Sequence, residues 1–180
     1  MVWGLIMFKR ILLLTLSVLS LNSPSSAGQF VDERHQTIIR AAQRSGIRYE
    51  VNASDCQRDV DGFYTGDRLV VCQDYGSRGG PERRWTNNDL DTLRHEAIHL
   101  AQDCRDGVID MMIDPPSDAQ VDAMIDRLGA DRMLKIWTDY HNRRLYMEGI
   151  LIELEAFHNA RYNSPESIAQ EITTYCPRLH

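Results

Sequence analysis

The sequence predicts an α+β domain in which a small, mostly antiparallel sheet is followed by a helical subdomain. Three observations carry that reading. Short runs rich in β-branched and aromatic residues are confined to residues 47–75. The segments after them place apolar residues at helical spacing between recognisable caps and stops. No internal repeat, low-complexity tract or long linker divides the chain.

The first 27 residues read as an export signal. Lys9 and Arg10 precede the apolar run ILLLTLSVLSL, and NSPSSAG follows with small and turn-forming residues. Ser25 and Ala27 satisfy the small-residue rule, so cleavage is expected between Ala27 and Gly28, leaving 28–180 as a single domain. The run from Ile11 to Leu21 is short for a bilayer, which needs about 20 residues of helix. The expectation is a secreted or periplasmic protein with no stable membrane insertion after cleavage; an uncleaved anchor is the alternative. Loss of Lys9 and Arg10 takes the net charge from -6 to -8. Basic residues are scattered rather than striped, which argues against nucleic acid as a partner.

Residues 32–44 form the first expected helix, with Ile38, Ile39, Ala41 and Ala42 on its apolar side and Gly46 as its stop. IRYEV, DGFYT and RLVVCQ then read as strands whose links are too short for helical crossovers. After the turn-rich GSRGGPERR, a cap at Thr86, Asn87 or Asn88 opens a helix reaching about Asp103. PPSDAQVDAMIDRLG and ADRMLKIWTDY give two shorter helices, and 142–162 a long one that is strongly apolar on one side. Ser164 caps the last helix, with Pro165 at its first position.

Four cysteines in an exported chain suggest two disulfides. The expected pairs are Cys56–Cys72, closing the strand region, and Cys104–Cys176, tying the last helix to the end of the 86–103 helix.

That helix carries the chemistry. In RHEAIH, His95 and His99 lie one turn apart, so two imidazoles can converge on one ion. Glu96, beside them, can reach a water bound to that ion. Leu90, Leu93, Ala97, Leu100 and Ala101 would bury the opposite side. A catalytic zinc needs a third protein ligand and an open position. Glu148, Glu153, Glu155 and His158 on the long helix, with Asp106 and Asp110 in the loop, are the candidates. Glu148, Ile152, Glu155 and Asn159 share one helical face; Glu153 falls among apolar residues, as either an unusual buried carboxylate or the ligand itself.

His95-Glu96-x-x-His99 resembles the HExxH zinc metallopeptidases, the zincins. Their extended branch continues with Gly three residues and His six residues after the second histidine; Gln102 and Arg105 stand there, so that branch is excluded. Glu155-Ala156-Phe157-His158-Asn159 is similar to the E-A-x-x-D element of the thermolysin-like gluzincins, with Asn for Asp. The resemblance implies a Zn2+ site of His95, His99 and Glu155, with Asn159 orienting His95 and Glu96 as general base. It also implies a peptide or protein substrate and an edge strand above the cleft, for which residues 69–72 are the candidate. The negative charge formed during hydrolysis needs a donor. Tyr140, His141, Tyr146 and His158 are candidates, Tyr146 and His158 being named first because they lie on or near the long helix.

Two other classes fit parts of the pattern. Glu96-x-x-His99 and Glu155-x-x-His158 are both E-x-x-H, as in di-iron carboxylate bundles. A disulfide-held binding module, with or without a structural zinc, would need no catalytic geometry.

Overall fold

The computed structural model describes residues 31–176; the expected export signal and its cleavage site lie outside the described residues. Helix α1 (Glu33–Arg44) begins where the Asp32 side chain accepts from the backbone amides of Arg34 and His35, each at 3.0 Å. It stops where Gly46 takes a left-handed conformation.

Strands β1 (Arg48–Val51), β2 (Gly62–Tyr64) and β3 (Arg68–Val71) form one sheet in the order β1-β3-β2. β2 and β3 are an antiparallel hairpin, whereas β1 and β3 run parallel. The sheet is therefore mixed rather than mostly antiparallel. The short links forbid a helical crossover, but β2 itself carries the chain back, so β3 can enter beside β1 in the same direction. β3 is the central strand, not an edge, and Leu69, Val70 and Val71 are fully buried. Leu69 and Val71 join the main core, while Val70 packs with Ala53 and Cys56 on the other face. There the Cys56–Cys72 disulfide stands beside a patch too small to be a core by itself.

Helix α2 (Asn87–Asp103) crosses the molecule between the sheet and the remaining helices. Thr86 and Asp89 build a capping box: the Asp89 amide donates to Thr86 Oγ1 at 3.0 Å and the Thr86 amide to Asp89 Oδ2 at 2.7 Å. α3 (Asp118–Leu128), α4 (Ala130–Asn142) and α5 (Met147–Tyr162) follow; Ile136, Ile150 and Leu154 make a second small core between α4 and α5. α6 (Pro165–Tyr175), capped by Ser164, packs Ile168, Ala169 and Ile172 into the main core. The Cys104–Cys176 disulfide joins the ends of α2 and α6 across 72 residues of sequence. A loop of that length contributes about 4 kcal/mol on a chain-entropy account. Among the described residues no helix is long and apolar enough to cross a membrane.

Candidate metal centre

α2 and α5 lie antiparallel, so His95 meets Phe157 (ring centroids 4.4 Å apart) while Gln102 reaches the Ile152 carbonyl. This places Glu153 opposite the two histidines. His95 Nε2 is 3.1 Å from His99 Nε2 and 3.1 Å from Glu153 Oε2, and His99 Nε2 is 3.6 Å from the same oxygen. Two imidazole nitrogens and one carboxylate oxygen thus form a nearly equilateral triangle. Three corners of a zinc tetrahedron with bonds of about 2.0–2.1 Å stand about 3.3–3.4 Å apart. The observed sides bracket that edge, and the donor set of two imidazoles and a carboxylate is one that catalytic zinc takes. The residues fit the ion. No other group of three or more His, Cys, Asp or Glu ligand atoms gathers in this way among the described residues.

The carboxylate that meets the two histidines is that of Glu153, not that of Glu155 as expected. The Glu155 side chain lies beyond His99 towards the C-terminal end of α2, where it accepts from Gln102 Nε2 at 2.9 Å and is paired with Arg105. Only 4% of Glu155 is exposed, and its carboxylate is already taken. Asn159 goes with it: its Oδ1 faces His158 Nδ1 at 2.9 Å rather than His95, whose Nδ1 is buried without a partner.

The two donors named first are also misplaced. His158 lines a separate recess with Arg105 and Glu155, on the face of α5 turned from the histidine pair. Tyr146 precedes α5 and is 84% exposed. Tyr140 on α4 is the phenol at the site. It lines the cleft with His95 and Glu96, and burial together with the nearby Glu153 charge pushes its hydroxyl above the ordinary tyrosine range. The di-iron pattern is not assembled either, since Glu155 and His158 point away from Glu96 and His99.

Electrostatics tie the cluster together. Burial works to raise the Glu153 carboxyl, but hydrogen bonds and charge from His95 and His99 outweigh it and hold Glu153 well below the usual range. Burial opposes charge on His99, and Glu153 reverses the balance, leaving His99 raised. Glu96 is raised, chiefly by burial, with the two histidines pulling the other way.

β2 is the strand that borders this site. Asp61 O and Thr65 N bond to β3, so by alternation Gly62 and Tyr64 turn their backbone groups to the free edge, and the Tyr64 amide helps hold the Glu96 carboxylate. β2 lies close on α2 because Gly62 has no side chain: a Cβ there would stand 2.5 Å from Thr92 Cγ2 and 3.2 Å from Glu96 Cγ. A cleft of about 390 Å³ opens between β2, α2, α4 and α5, with Asp61, Gly62, His95, Glu96, Tyr140 and Phe157 among its walls.

Comparison with known proteins yields no match to a family model, to a curated protein or to a solved structure. The geometry of the site therefore carries the functional argument.

Proposed function

We propose that this chain is an exported zinc-dependent peptidase that hydrolyses peptide bonds with Glu96 as general base. The observation that carries the reading is the triangle of His95, His99 and Glu153 beside a buried Glu96, with His95 and Glu96 lining one cleft. Zinc bound by these three residues supplies an acidified water and a Lewis acid for the substrate carbonyl.

The chain's own groups do the rest. Glu96 takes the proton of the attacking water and passes it to the leaving amine; its carboxylate is buried beside His95 at the wall of the cleft. Tyr140, across the cleft, donates its hydroxyl to the oxygen on which negative charge develops. A peptide lies extended along the free edge of β2, where the backbone groups of Gly62 and the Tyr64 carbonyl hold it by strand addition. His95 and His99 stay buried against Phe157 and Glu153, so the ligands are held before substrate arrives.

Zinc content and peptide-library cleavage, measured for wild type beside Glu96→Gln and Tyr140→Phe, test this reading. Wild type should carry one zinc and cleave. Glu96→Gln should keep the zinc and lose about 10²–10⁴ in rate, and Tyr140→Phe should keep it and lose about 10²–10³ in kcat. Equal cleavage by wild type and Glu96→Gln refutes the mechanism.

A further inference from the structure

His99 differs from His95 in what holds the far side of its ring. His99 Nδ1 lies 2.8 Å from Gln102 Oε1, whereas His95 Nδ1 has no hydrogen-bond partner. The Gln102 amide is itself held at its other end. Its Nε2 donates to the Ile152 carbonyl at 3.1 Å and to Glu155 Oε2 at 2.9 Å. Both neighbours of that nitrogen are acceptors only, one of them an anion. Turning the amide over would set its carbonyl oxygen against a carboxylate and a backbone carbonyl in a buried position where water does not compensate. The oxygen must therefore face His99, and Nδ1 of His99 must carry the proton. Nε2 is left with its lone pair directed at His95 and Glu153. Arg105 completes the chain by pairing with Glu155, giving that buried carboxylate a cationic partner.

We infer that Gln102 is a positioning residue that, anchored by Glu155 and Arg105, locks His99 in the Nδ1–H tautomer and presents its Nε2 to the metal. The inference rests on the zinc-site reading above and goes beyond it in assigning a role to three residues that touch neither metal nor substrate. It also accounts for Glu155 as something other than a ligand. Donation from Gln102 to an anion strengthens the amide oxygen as an acceptor, which in turn makes the imidazole a better donor to a cation.

The test uses the full exported chain with its disulfides intact, and reads two quantities. Ring ¹⁵N NMR of metal-free protein, followed upward in pH until the His99 ring is neutral, reports which nitrogen of His99 is protonated. Chelator competition reports the zinc dissociation constant. Wild type should show Nδ1–H on His99. Gln102→Leu should release that tautomer and weaken zinc by about ten- to a hundredfold. The exchanged pair, Gln102→Glu with Glu155→Gln, again offers an acceptor to His99 and an amide donor behind it while leaving the Ile152 carbonyl without its donor, so both readings should return part of the way towards wild type. A merely structural Gln102 predicts no such recovery. A folded Gln102→Leu protein with wild-type tautomer and zinc affinity overturns the assignment while leaving the zinc site standing. If Gln102→Leu does not fold, the wild type and the exchanged pair decide, and Nε2–H on His99 in wild type overturns it. A wild type that binds no zinc overturns the site and the positioning role together.

Discussion

Gly62→Ala is a one-carbon change that probes how closely β2 must approach α2. The added Cβ would stand 2.5 Å from Thr92 Cγ2 and 2.7 Å from the Val70 carbonyl oxygen. Ordinary van der Waals contact begins near 3.4 Å, so the overlap with Thr92 is about 0.9 Å. Neither neighbour can yield freely: Thr92 is buried on α2, and Val70 is a fully buried residue of the central strand. Overpacking of this kind costs about 1–3 kcal/mol, which for a domain of this size corresponds to a fall in Tm of roughly 2–12 °C. Relief comes by moving β2 outward, and β2 borders the Glu96 carboxylate. Displacements of that order cost up to about a hundredfold in rate. Gly149→Ala is the control. Its Cβ meets Leu145 at 3.4 Å or beyond, within helix α5, so it should be neutral or stabilising by about 0.5–1 kcal/mol. Thermal melts and peptide cleavage of both variants decide the matter. A Gly62→Ala protein with unchanged Tm and unchanged rate refutes the close approach of β2 to Glu96.

Glu153→Ala should lose zinc while the fold is retained. Glu155→Ala should still bind zinc, though more weakly because Gln102 loses its anchor, and should melt earlier, because Arg105 and Gln102 lose a buried partner at a cost of about 1–3 kcal/mol; metal analysis beside calorimetry separates the two. The Arg34–Glu166 pair linking α1 to α6 holds the Glu166 carboxyl down at about 2. A depressed folded pKa contributes stability that is present above the ordinary carboxylate pKa of about 4.3 and is lost as pH falls towards the folded value. Wild type should therefore lose its small advantage over Glu166→Gln between about pH 5 and 2 in acid titrations followed by circular dichroism, and a gap that widens on acidification contradicts the pairing.

The elements and the histidine helix were legible because local chemistry decides them. Asp32, Thr86 and Ser164 are caps, Gly46 is a stop, and the observed boundaries follow those residues closely. Both disulfides follow from which segments must meet. The direction of β1 was not legible, since a strand can carry the chain back as well as a helix can, and spacing alone does not exclude it. The third ligand failed for a more instructive reason. Glu153 and Glu155 are two positions apart, about 200° around the helix axis, so only one of them can face His95 and His99. The phase of α5 is set by its packing, and ILIELEAF is apolar on nearly every side, so periodicity does not reveal which face meets α2. The likeness of Glu155-Ala156 to a known ligand element then selected the wrong glutamate. The deciding information lay on α2 and in the turn beyond it. Gln102 and Arg105 entered the sequence reading only as two residues that break the extended zincin pattern. In the fold they receive Glu155 beyond His99, towards the end of α2, and a buried carboxylate requires such partners. Once Glu155 is claimed by Gln102 and Arg105, the rotation of α5 has no freedom left, and Glu153 is carried to the histidines.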